Sequence, residues 1–106
     1  MGSRLDRIND WETRARGGKY RVANLARNVN VTPRQLERYF LRTRDCHPRD
    51  WIRDLRMKDA MRLKRHGLLD KEIAALLGFR YASDFSRALR QYRDARKGSG
   101  SVRLDM

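Results

Sequence analysis

Within the 106 residues a helical pattern occurs twice, and this internal repeat limits the fold more than any other feature. Leu25-Ala26 corresponds to Ile73-Ala74 at an offset of 48 residues. Leu36, Arg38, Phe40 and Asp45 correspond to Phe85, Arg87, Leu89 and Asp94 at an offset of 49. The extra residue of the second copy falls in a turn, where a change of length costs little. Each copy reads as a helix, a tight turn and a second helix with a basic outer side. The pattern predicts an all-α chain: two helix-turn-helix units joined by a long connecting helix.

The spacing of apolar residues sets the expected elements. Leu5, Ile8, Trp11 and Ala15 share one face of a first helix, about Leu5 to Arg16, with Ser3 and Asp6 at its start and Gly17-Gly18 at its end. Val22, Leu25, Ala26 and Val29 mark a second, from about Arg21 to Asn28. Thr32-Pro33-Arg34-Gln35 is a strong helix start: Thr32 can cap, Pro33 suits the first turn and Gln35 can close a capping box. That third helix turns Leu36 and Phe40 inward and ends near Arg44. Pro48 opens a long helix to about Arg65, with Trp51, Ile52, Leu55, Ala60 and Leu63 as its buried side, and Gly67 ends it. Asp70 is expected to cap a short helix carrying Ile73, Ala74 and Leu77, which Gly78 terminates. A last helix runs from about Ala82 to Arg93 with Phe85 and Leu89 inside. From Lys97 the chain, with Gly98-Ser99-Gly100-Ser101, reads as flexible.

Charge narrows the partner. Lys and Arg number 26 against 13 acids, a net charge of +13. Such a cation repels its own copies and is drawn to polyanions, so a monomer that meets nucleic acid is expected. No stretch approaches the ~18 continuous apolar residues of a membrane span. The first residues lack a signal-peptide pattern, and Cys46 is the single cysteine. These features predict a cytoplasmic, nucleoid-associated protein with no membrane partner.

In a helix-turn-helix the first helix braces the second, whose outer side enters the major groove. The outward residues of the first reading helix are Arg34, Gln35, Glu37, Arg38, Leu41 and Arg42. Arg34 and Arg38 lie four apart on one face, and each can take a guanine edge or a phosphate. Glu37 can accept from a cytosine amino group, or else orient Arg34 or Arg38. The second reading helix offers Ser83, Asp84, Ser86, Arg87 and Arg90. The competing view makes these arginines a solvated face paired with neighbours such as Asp84. At ~1.5 Å per residue the connecting helix spans roughly 27 Å. That length suits two reading helices in successive grooves, ~34 Å apart on one side of the duplex. The site would be asymmetric, because the two helices differ.

Gly78-Phe79, Ser83, Phe85, Ser86 and Arg87 match a Gly-Phe-x3-Ser-x-Phe-x-Arg signature, and with it the chain resembles the DNA-binding domain of AraC/XylS-type transcription regulators. Leu25-Ala26, Thr32-Pro33, Leu36, Arg38 and Phe40 match the family's first unit; Arg56-Met57, Ala60 and Leu63 match its connecting helix. The resemblance covers roughly Tyr20 to Arg93. It implies promoter binding and transcription control, with contact to RNA polymerase in activators. It also implies that Arg34, Glu37, Arg38, Ala82, Ser83, Ser86 and Arg87 face the DNA, Ala82 through its methyl group. Asp45 and Asp94 stand where the family carries Gly after each reading helix, and Asp tolerates the left-handed turn such a Gly makes. The Pro-bearing final stretch of the family is missing beyond Asp94.

The chain thus divides into a first unit with its leading helix (1–46), a connecting helix (47–67), a second unit (68–94) and a flexible tail (95–106), together one DNA-binding domain. It can work alone or as a piece of a longer regulator. Cys46-His47 and the distant His66 do not make a metal site, which needs about four ligands at short spacing. No nucleophile has a paired base, so neither enzyme chemistry nor a cofactor is expected. Trp11 and Trp51 read as core anchors, and Tyr39 and Tyr92 as packed. Tyr81, ahead of the second reading helix, can rest on the DNA backbone, but packing on Phe79 or the first helix is favoured. Two other functions compete: a sequence-tolerant nucleic-acid binder, architectural or RNA-binding, and a basic module that docks an acidic protein.

Overall fold

A computed structural model describes the backbone of residues 3–104 and the side chains of residues 3–95, and every regular element among them is helical. After a 3-10 turn at Arg4–Arg7 come α1 (Trp11–Gly17), α2 (Val22–Asn28), α3 (Pro33–Arg44), α4 (Pro48–Arg65), α5 (Asp70–Leu76) and α6 (Ala82–Leu104). The chain forms two compact units, Met1–Lys58 and Asp59–Met106. The boundary lies inside α4, so this helix is shared between the units rather than forming a separate segment. Its first half joins the first unit because Ile52 and Leu55 belong to that unit's core.

In the first unit, the expected leading helix is broken in two. Ser3 and Asp6 do form a capping box, but on a 3-10 turn. Ile8 then turns extended, and α1 starts only at Trp11. Asn9 and Asp10 explain the break: short polar side chains compete for backbone groups and weaken a helix interior. Asp10 precedes α1 without capping it, and its carboxylate pairs with Arg14 at 2.8 Å instead. Gly17 ends α1, and Gly18 lets α2 approach: a Cβ there would lie 3.0 Å from the Asn24 Cβ.

The core of this unit gathers Leu5, Trp11, Ala15, Leu25, Ala26, Val29, Leu36, Tyr39, Phe40, Ile52 and Leu55. Phe40 sits at its centre, edge-on to Trp11 (5.3 Å) and to Trp51 (5.4 Å), with Tyr39 beside it. Trp11 is buried as expected, whereas Trp51 is only partly so. The Arg44 guanidinium lies over the rings of Phe40, Trp51 and Trp11 at 5.1, 5.2 and 5.8 Å. A cation over three ring faces covers apolar surface while keeping its own charge near water.

The second unit has a leaner core, with Ala60, Ile73, Ala74, Leu77, Phe85 and Leu89 buried and Phe79 5.5 Å from Phe85. Asp59 on α4 is also buried, 3.6 Å from Arg62. Asp70 does not cap α5: it is the first helical residue, preceded by Leu69, whose N–H is taken by Glu72 at 2.8 Å. Asp70 pairs with Lys64 at 3.2 Å instead.

The last helix differs most from expectation. It passes through Asp94 without a turn and continues to Leu104, where the sequence pattern ended it near Arg93. The two prolines of the chain lie elsewhere, and Gly98 and Gly100 each cost a helix only about 1 kcal/mol. Asp45, at the equivalent end of α3, does adopt the left-handed conformation, at φ 55°.

Candidate nucleic-acid interface

The turn between α2 and α3 and the turn between α5 and α6 close by the same hydrogen bonds. The Val31 N–H donates to the Ala26 carbonyl at 3.0 Å, and the Phe79 N–H donates to the Ala74 carbonyl at 2.8 Å. One residue earlier, Asn30 donates to Arg27 at 3.1 Å and Gly78 donates to Ala75 at 3.4 Å. Asn30 and Gly78 both have positive φ, 64° and 80°. These are the paired closing bonds of a Schellman motif, which needs a left-handed residue one step past the helix end. Gly reaches that conformation freely, and Asn is among the few other residues that tolerate it. Val31 and Phe79 therefore correspond, as do Thr32 and Tyr81 at the next helix starts. Arg80 is the extra residue of the second copy.

Past each turn, the next helix is seated by two large apolar residues four apart. Leu36 and Phe40 are fully buried in α3; Phe85 and Leu89 take these places in α6. Inward-facing residues at this spacing fix which side chains point outward. In α3 these are Arg34, Gln35, Arg38, Leu41 and Arg42, all exposed, and Glu37, half-buried. Gln35 accepts the Thr32 N–H at 2.8 Å while Thr32 Oγ1 accepts the Gln35 N–H at 3.1 Å, so the expected capping box forms. Arg42 rests over the Tyr39 ring at 5.6 Å. Arg34 and Arg38 have no ion-pair partner among the described residues.

Glu37 pairs with neither arginine. Its Oε1 lies 2.8 Å from His47 Nδ1, a residue at the start of α4 that the sequence pattern left without a role. Val22, Pro33, Arg34, Glu37, His47, Pro48 and Arg49 line one cleft beside α3. No helical periodicity links residues on two helices, so this pair was not readable from spacing.

In α6, Ser83, Ser86, Arg87 and Arg90 are exposed, and Ala82 and Asp84 are half-buried. Arg87 forms no ion pair with Asp84, and Arg90 has no carboxylate partner among the described residues. Ser86 and Arg90 border a cleft shared with Lys64, Asp70, Leu89, Arg93 and Asp94. Tyr81 is 58% exposed with the Arg80 guanidinium 5.5 Å from its ring centre. The expectation that it packs on Phe79 or the first helix is thus wrong. The one-residue insertion shifts the helix start outward, and the inward position at this turn is already filled by Phe79, against Phe85.

Two bracing helices, two identically closed turns and two following helices with arginine-rich outer sides define a helix-turn-helix protein. A family model described as a helix-turn-helix domain matches residues 25–95. The chain belongs to this family, in its AraC/XylS type, as a DNA-binding domain of a transcription regulator. No curated protein and no solved structure gives a significant match. Among the described residues no group of His, Cys, Asp and Glu is placed to hold a metal ion, and no helix is long and apolar enough to cross a membrane.

Proposed function

We propose that this domain reads duplex DNA sequence-specifically, with α3 and α6 each entering a major groove, successive along one side of the duplex. The observation that carries this reading is the repetition of one arrangement. Each turn holds a helix whose inner side is locked by two buried apolar residues. On its outer side an arginine, Arg38 or Arg87, stands without an ion-pair partner among the described residues. An arginine already held by a carboxylate would have to break that pair to reach a base. A free one presents its planar fork to the two acceptors of guanine. Arg34, Glu37 and Arg42 extend the reading side of α3; Ala82, Ser83, Asp84, Ser86 and Arg90 extend that of α6. Gln35 holds the helix start through its Oε1, so its amide nitrogen is not used by the cap.

Selection of bound duplexes from a random pool at near-physiological salt tests this. Two unlike blocks of preferred bases, centred about one helical turn apart, are expected. Arg38→Ala should relax one block and Arg87→Ala the other, each by about 1–3 kcal/mol of discrimination at the contacted pair. Equal losses on every duplex would mean binding held by charge alone. Affinity does not separate the two readings: about eight phosphate contacts give a log–log salt slope near −7 with any sequence.

A further inference from the structure

Glu37 is the only acid in α3, where the other charged residues are Arg34, Arg38, Arg42 and Arg44. A carboxylate carried towards a phosphate backbone is unfavourable unless a donor on the base meets it or a neighbouring cation offsets it. His47 bears on the first, by holding the carboxylate where a base donor can meet it. Its backbone is fixed, since its carbonyl accepts the N–H groups of Asp50 and Trp51, both at 3.1 Å, at the first turn of α4. From that anchor Nδ1 reaches Glu37 Oε1 at 2.8 Å, with both side chains about half exposed. Arg34 and Arg49 are the other charged groups lining the cleft.

We infer that His47 is a positioning residue for base reading. By engaging Oε1 it fixes the Glu37 side chain in one rotamer and leaves Oε2 as the acceptor for a cytosine amino group in the major groove. The inference rests on α3 being a reading helix. The second unit supplies an internal control, because Glu37 corresponds to Ser86 and there is no carboxylate there to position.

The experiment is the same pool selection, run with wild type, Glu37→Ala, His47→Ala and His47→Gln. Glu37→Ala and His47→Ala should weaken preference at the same base pair, each on the order of fivefold, the lower end of a good direct contact. The block read by α6 should stay intact, and the rest of the block read by α3 should persist, which establishes that the first unit of each variant still folds. His47→Gln, whose amide N–H can still donate to Glu37, should keep the preference. A His47→Ala variant with wild-type preference, beside a Glu37→Ala variant that has lost it, overturns the role of His47 alone. If Glu37→Ala also keeps the preference, the reading assigned to this face of α3 fails with it.

Discussion

The two units close their turns in the same way and secure the helices around those turns differently. In the first unit Phe40 touches three aromatic rings and is roofed by Arg44. In the second, among the described residues, Phe85 meets one ring, that of Phe79. Helix α3 begins in a full capping box and stops at a left-handed Asp45. Helix α6 begins after an exposed Tyr81, with Asp84 and Phe85 donating only to the Tyr81 carbonyl, and runs past Asp94. Backbone closure of the turn is thus the shared requirement. Core aromatics and caps are where the copies have diverged.

The sharpest test of this contrast is truncation of the two equivalent seats. Burial of a Phe that is cut to Ala costs about 3–5 kcal/mol, and each ring pair adds about 0.5–1.5 kcal/mol. Phe40→Ala should therefore fall at or above the top of that range. Among the described residues Phe85 has fewer ring partners, and Phe85→Ala should fall nearer the bottom. Urea unfolding followed by circular dichroism gives both numbers. Trp11 and Trp51, the two tryptophans of the chain, both lie in the first unit, so their emission reports on it alone. Equal losses would mean that the aromatic cluster adds nothing beyond burial.

A smaller effect separates the helix starts. Replacing a capping Thr by Ala typically costs about 1 kcal/mol, and the converse change at an uncapped start recovers a similar amount. Thr32→Ala should destabilise the protein by about 1 kcal/mol, and Tyr81→Thr should stabilise it by up to about the same. Thermal midpoints of the two variants check this pair. A destabilising Tyr81→Thr would mean that the Tyr81 ring, with Arg80 over it, contributes more to the fold than a cap would.

Local chemistry was legible in the sequence, and contacts between distant residues were not. Thr32-Pro33 with Gln35 signalled the start of α3 because cap and partner lie three residues apart on one strand of chain. The repeat offsets found the seats at Leu36, Phe40, Phe85 and Leu89 because the buried faces of two copies are built alike. The break at Ile8 to Asp10 was missed because the apolar spacing continues through it while the backbone does not. The end of α6 was misplaced because glycines weaken a helix without stopping it, and no turn forms at Asp94. Glu37 with His47, and Asp6 with Tyr39, are pairs made by folding, and no periodicity connects their members. Of the candidate interface, the exposure of the arginines was readable; the half-burial of Glu37, Ala82 and Asp84, the exposure of Tyr81 and the engagement of Glu37 by His47 were not.

Asp6 and Tyr39 give the last and smallest contrast. The Tyr39 hydroxyl donates to Asp6 Oδ1 at 2.7 Å, and the Ser3 N–H donates to Oδ2 at 2.8 Å. The Tyr39 hydrogen bond, foremost, then the Ser3 N–H and the Arg42 charge, hold the Asp6 carboxyl below its usual range. A carboxylate favoured by the fold contributes stability above its ordinary range, and that contribution fades as pH falls through the lowered folded value. Tyr39 itself is shifted upward, by burial first and by Asp6 second, so its contribution fades only at alkaline pH. The position equivalent to Tyr39 in the second unit is Ala88, which cannot make such a bond. Tyr39→Phe should therefore flatten the acid limb of stability, measured as thermal midpoints from about pH 6 to about pH 2. Wild type and variant should converge at the acid end, where Asp6 is protonated in both. Parallel profiles across the whole range would instead place the value of Tyr39 in its buried ring, alongside Trp11 and Phe40, and none of it in the hydroxyl.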